Sequence, residues 1–282
     1  MQPAVTVTLV PEMRQGPFVF SGDLADGCRR AAAYGFAAIE LFPPDPDAVA
    51  TESLQRLLEE HGLTLAAVGT GAGWFRQQLS LTSPDESVRT KALDFAHRMM
   101  QFAAAFAAPI VIGALQGQAS GGVSQPTALR YLGHALFHLD EWAEELGVTV
   151  LYEPLNRYES NLIHTLADAA LFIRAAGLRH VRLLADLFHM NIEEQDLAGA
   201  IRQAGSLIGH VHFSDSNRRA AGLGHTNFAP IIEALRAVGY TGYLSAEVLP
   251  IPDADTAARQ AIMAFRHWAA HASTTSKSSP GL

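Results

Sequence analysis

Eight short β-branched runs, each separated from the next by a longer stretch rich in Ala and Leu, constrain this chain more than any other feature. The runs occupy 5–10, 37–42, 64–68, 110–112, 148–152, 181–185, 209–213 and 243–248. Alternation of this kind predicts βαβ units around a parallel sheet. Several runs are apolar almost throughout, as strands covered on both faces must be. Four intervening segments, 23–34, 53–61, 129–146 and 230–238, read as helices ending at Gly35, Gly62, Gly147 and Gly239. Glycine there accepts the left-handed conformation that closes a last helical turn. Two connections, 69–84 and 116–126, are long and carry several glycines; loops after strands are where a barrel builds its site. Eight units within 282 residues predict an α/β fold, a single closed (β/α)₈ TIM barrel, rather than an open doubly wound sheet. The barrel is expected over 1–272, with a disordered tail over 273–282, where Ser, Thr, Gly and Pro dominate.

Composition narrows the function. Apolar residues make up 49% and charged residues 17%, enough to bury a large core. A net charge of −8 repels phosphate backbones, so no nucleic-acid partner is expected. Cys28 is the only cysteine, which excludes an intramolecular disulfide framework and a thiolate metal cluster and fits a cytoplasmic protein. No apolar run is long enough for a membrane span, and the N-terminus does not read as a signal peptide. No Gly-x-Gly-x-x-Gly follows the first strand. The segment Gly69-Thr70-Gly71-Ala72-Gly73 comes after the third strand and lacks the third spaced glycine.

The second half of the chain repeats one theme. Its strands end in, or contain, residues that bind metals or move protons: Glu153, Asp186, His210 or His212, and Glu247. In a barrel the C-terminal strand ends converge on one mouth, so these groups are expected to meet. Three carboxylates together repel unless a cation joins them. With one imidazole they form a hard donor set suited to one divalent metal ion, Mn²⁺ first, or Mg²⁺ or Co²⁺. His210 and His212 share one side of their strand, and position alone does not choose between them. Glu159, His189 and Arg218 lie close by in sequence, in loops that could hold the oxygens of a small substrate. Trp74 and Phe75, in the loop after the third strand, are candidates for the pocket lining or a subunit contact.

Four segments carry a resemblance: Glu153-Pro154-Leu155-Asn156-Arg157-Tyr158-Glu159, the run Asp186-Leu187-Phe188-His189-Met190-Asn191, the run His210-Val211-His212-Phe213-Ser214-Asp215-Ser216-Asn217-Arg218, and Glu247-Val248-Leu249-Pro250. They resemble the xylose-isomerase-like barrel superfamily of sugar phosphate isomerases and epimerases. Within it they are most similar to the ketose 3-epimerases (D-tagatose/D-psicose 3-epimerase) and to 5-keto-L-gluconate epimerase. The resemblance implies metal ligands at Glu153, Asp186, His212 and Glu247, choosing His212 over His210. It implies substrate contacts from Glu159, His189 and Arg218, and an isomerase in which Glu153 and Glu247 invert the carbon next to a carbonyl through a cis-enediolate. Relatives are often homodimers or homotetramers, and a small ketose or keto-sugar acid is the expected partner. Leu187, Arg219 and Asn227 depart from the family pattern at positions that touch no proposed ligand. An aldose–ketose isomerase such as hydroxypyruvate isomerase is the alternative reading, and a non-catalytic metal- or sugar-binding barrel is the remote one. An apurinic-site endonuclease would need more histidines at the strand ends and a cationic face.

Overall fold

A computed structural model describes residues 1–269; the tail expected at 273–282 lies outside the described residues. The strands are β1 (Gln2–Thr8), β2 (Phe20–Ser21), β3 (Ala38–Phe42), β4 (Thr64–Gly69), β5 (Ile110–Ile112), β6 (Val150–Tyr152), β7 (Val181–Asp186), β8 (Ile208–His212) and β9 (Tyr243–Ala246). All pairings are parallel, in the order β2-β1-β3-β4-β5-β6-β7-β8-β9. A further parallel pairing of β1 with β9, Val5 opposite Ala246, closes the sheet. The closed parallel barrel therefore has the eight strands expected, and the two-residue β2 is a spur on β1.

Strand alternation sorts side chains between two cores. Val5, Ile39 and Leu41 face outward into the large apolar layer beneath the helices. The opposite parity points inward. Ala67 pairs with Glu40 and Leu184 with His210, and Ala67, Val111, Leu151 and Leu184 make a separate cluster that plugs the barrel with side chains, as the fold requires.

The helices that bear on the site are α3 (Gly71–Gln77), α4 (Glu86–Ala104), α5 (Gln125–Leu146), α7 (Leu187–Glu193) and α9 (Phe228–Ala237); α1 (Leu24–Tyr34), α2 (Thr51–His61), α6 (Leu166–Ala175), α8 (Leu197–Ala204) and α10 (Ala254–Trp268) complete the ring. The caps follow their side chains. Asp23, Ser124 and Asp253 accept from first-turn amides, and Gly35, Gly62 and Gly147 close α1, α2 and α5 with positive φ. The connection 69–84 differs from expectation, because its first turns are helical. Glycine disfavours a helix, but packing overrides propensity here: a Cβ on Gly73 would lie 2.9 Å from Leu115 and 3.0 Å from Phe95. The two glycines of α3 let it press against its neighbours.

Candidate active site at the barrel mouth

The four strands β6 to β9 deliver four buried groups to one point. Glu153 follows β6, Asp186 ends β7, His212 ends β8 and Glu247 follows β9. One donor atom from each lies within 4.8 Å of all the others. His212 Nδ1 is 3.4 Å from Glu153 Oε1, from Asp186 Oδ2 and from Glu247 Oε2 alike.

Each group is aimed by a second contact. Asp186 is also the N-cap of α7: its Oδ1 accepts from the Phe188 amide at 2.7 Å and from Ser214 Oγ at 3.2 Å. That leaves Oδ2 for the centre. His212 meets Glu40 Oε1 through Nε2 at 3.1 Å, so Nε2 carries the proton and the Nδ1 lone pair faces the carboxylates. Below it, His210 meets the other oxygen of Glu40 at 3.1 Å. His210 stays outside the four-residue cluster. Glu153 is placed from behind: Gln116 Nε2 donates to its carbonyl oxygen at 2.9 Å and Gln116 Oε1 accepts from Tyr152 at 2.7 Å. Gly113 clears its path, since a Cβ there would stand 2.3 Å from Glu153 Oε2.

The donor set fits a divalent cation. Asp186 Oδ2 and His212 Nδ1 are buried without a hydrogen-bond partner, as is His189 Nε2 beside them, and buried polar atoms are ordinarily paired. Proton affinities show the same imbalance of charge. Burial lifts the Glu153 carboxyl above its ordinary range, and the nearby Glu247 adds to this. His212 is driven well above the usual imidazole value: burial opposes this, but Glu247 and Glu40 outweigh it. Negative charge that would force a proton onto a buried imidazole is negative charge that a metal ion can satisfy instead. Glu40 is held far below the carboxylate range, His212 and His210 overcoming the cost of burial.

The remaining three predicted residues stand on the wall beside this cluster. His189 Nδ1 accepts from the Asn156 backbone amide at 3.4 Å and contacts Asn156 Nδ2 at 2.7 Å. The proton therefore sits on Nε2, which is 3.6 Å from Asp186 Oδ2. The Asn156 amide cannot be turned round, because its Oδ1 accepts from the Tyr158 amide at 2.9 Å and its Nδ2 also reaches Glu159 at 3.1 Å. Arg218 bridges Glu159 at 3.1 Å and Glu247 at 2.9 Å and lies over the Phe188 ring. Its φ of +58° is rare for a side-chain-bearing residue. The loop enforces it: Asp215 accepts from the amides of Ser216, Gly222 and Thr226 at 2.8, 2.8 and 3.0 Å.

Together with Glu12, Met13, Phe18, Phe42 and Phe75, these groups line a cavity of about 310 Å³, a size suited to a small molecule. One wall is polar and carries Glu153, Glu247, Glu159, His189 and Arg218; the other is largely apolar. Glu40, Gly113, Gln116 and Asn156 were not singled out from sequence. Glu40 alone left a signal, a carboxylate inside an otherwise apolar strand.

The family described as xylose isomerase-like TIM barrel matches residues 28–268. The chain belongs to that family. It is 35% identical to an L-ribulose 3-epimerase of Mesorhizobium japonicum, over 76% of this chain and 71% of that one. It is 44% identical to a 3-dehydro-D-guloside 4-epimerase of Escherichia coli, although that match spans 38% of this chain and only 40% of the relative. The crystal structure of a 3-keto-D-glucoside 4-epimerase from E. coli superposes with a TM-score of 0.78 at 27% identity, covering 95% of this chain and all of that one.

Proposed function

We propose that this chain is an isomerase that epimerises a neutral ketose-type sugar at the carbon next to its carbonyl, with a divalent metal ion, Mn²⁺ first, held by Glu153, Asp186, His212 and Glu247. One observation carries the reading. Two buried carboxylates, Glu153 and Glu247, reach the same point from different strands and both line the cavity. Groups so placed can take a proton from one face of a carbon and return one to the other, which inverts it. The bound cation supplies Lewis acidity toward the carbonyl oxygen, lowering the cost of the charge that develops as the proton leaves.

The chain's own residues do the rest. Burial raises the Glu153 carboxyl above its ordinary value, the direction that helps a carboxylate take up a proton. Glu247 is steadied by Arg218. His189 offers its Nε2 proton to a substrate oxygen, and Glu159 accepts from a hydroxyl.

The charge of the pocket favours a neutral sugar over a keto-acid or a phosphate. Among the described residues Arg218 is the only Lys or Arg on its lining and already serves two carboxylates, while Glu12, Glu153, Glu159 and Glu247 all face the same space. A substrate carboxylate or phosphate would find no uncommitted Lys or Arg there among the described residues. The same proposal includes assembly as a homodimer or homotetramer, for which Tyr158, 81% exposed at the mouth, offers aromatic surface. It also includes a cytoplasmic location, supported by the free, buried thiol of Cys28.

The test is incubation of Mn²⁺-loaded protein with D-fructose, D-tagatose, L-sorbose and 5-keto-L-gluconate in deuterated water. The expected result is the 3-epimer of a neutral ketose with deuterium at the inverted carbon, abolished by chelator. An aldose product assigns an isomerase instead, and no exchange from any of the four, with metal shown to be bound, overturns the reading for free ketoses.

A further inference from the structure

Beside the metal-facing cavity lies a second cleft of about 420 Å³, and the two share Phe75. Among the described residues none that lines it is charged. Trp74 and Phe75 supply aromatic surface, while Gln78, Ser83, Gln118 and Ser120 supply amides and hydroxyls. This is the chemistry that recognises a sugar ring: the C–H face rests on an aromatic, and hydroxyls both give to and accept from amide groups. The cleft is also tied to the site, since Gln118 Nε2 donates to the Glu159 carbonyl oxygen at 3.4 Å.

Gln78 adds an independent observation. It caps α3 in the left-handed conformation, φ +54°, where α1, α2 and α5 all use glycine. Among the described residues three non-glycine residues have positive φ: Arg218 in the active site, Gln78 in the cleft, and Ala107 in the turn after α4. The glutamine stands where glycine would sit without strain, and its side chain lines the cleft. Phe75 is 55% exposed and lines both cavities.

Building on the epimerase reading, we propose that the substrate is a glycoside of the keto-sugar. Its reacting ring lies in the inner cavity, and its second sugar ring lies on Trp74 and Phe75 among Gln78, Gln118 and Ser120. The cleft is then an aglycone subsite, and it sets the preference between free and linked sugars without touching the reacting carbon.

A matched pair of substrates tests this: methyl 3-keto-D-glucoside, which fills only the inner cavity, and the 3-keto disaccharide in which glucose replaces the methyl group. The wild-type protein should show about tenfold higher kcat/KM on the disaccharide. Gln78→Gly should erase that preference while leaving kcat/KM on the one-ring substrate unchanged. It should also leave Tm unchanged or higher, because glycine relieves the backbone. Gln118→Ala should act in the same direction. Equal kcat/KM on the two substrates, or a Gln78→Gly protein that keeps the preference, overturns the subsite and leaves the epimerase reading intact. Saturation-transfer NMR with the non-reacting disaccharide cellobiose reads the cleft without turnover. Binding that is lost in Gln78→Gly supports the subsite even if neither keto-sugar reacts, and binding unchanged in the variant counts against it.

Discussion

Strands β6 to β9 place Glu153, Asp186, His212 and Glu247 at the mouth of the barrel, whereas β1, β3, β4 and β5 end in or lead into Thr8, Phe42, Gly69 and Gly113. One side of the barrel bears the titratable groups of the candidate site; the other bears shape. The quieter side still controls the busier one through two positions. Glu40 reaches across the barrel from β3 to hold His212, and the missing side chain of Gly113 makes room for Glu153. A ring closed on itself lets residues far apart in sequence become supports for one another, so a site written in one half is tuned from the other.

Five substitutions bear on that division. The largest effect is expected on the chemical side. Glu247→Gln or Glu153→Gln should lower kcat by about 10² to 10⁴-fold with circular dichroism unchanged, and a near-normal rate in either variant would remove that residue from proton transfer. On the shape side, Gly113→Ala drives a methyl group into the Glu153 carboxylate. A displacement of about 1 Å costs about 10² in rate, so kcat should fall by that order, and full activity would mean that Glu153 is not held where the structure puts it. Glu40→Gln replaces an acceptor of two imidazoles with an amide. Mn²⁺ affinity by titration calorimetry should fall by about 10- to 100-fold, and unchanged affinity would confine metal binding to the second half alone.

The smallest effect concerns the loop that presents Arg218. Burial raises the Asp215 carboxyl, but amides of Thr226, Gly224 and Ser216 outweigh it and hold the group below its ordinary value. A depressed folded value contributes stability above the unfolded pKa of about 4, and that contribution is lost as pH falls through the folded value. Asp215→Asn should cost about 1–3 kcal/mol at neutral pH and flatten the acid limb of the stability curve. A variant with the wild-type acid profile would show that Asp215 does not govern it.

Much of this molecule is legible without coordinates, for identifiable reasons. Strand parity, apolar runs and glycine caps are local properties, so the eight-stranded barrel follows from them, with errors of one to three residues at strand ends such as 148–152 against Val150–Tyr152. The carboxylates and histidines stand at strand ends, and in a barrel strand ends converge, so Glu153, Asp186, Glu247 and one of the two histidines can be expected together. The choice between His210 and His212 is different in kind: both face inward, and the residues alone do not rank them. It rests on height along the barrel axis, where His212 is level with the other three groups and His210 lies one pleat deeper, beside Glu40. The roles of Glu40, Asn156 and Gly113 are likewise invisible in sequence because they are relations, although Glu40 itself shows as a carboxylate inside an apolar strand. A carboxylate matters here for the imidazole it meets across the barrel, an amide for the tautomer it imposes, and a glycine for the space it leaves. Local sequence sets periodicity and residue type, but distances between strands that are 172 residues apart, as Glu40 and His212 are, exist only once the sheet has closed.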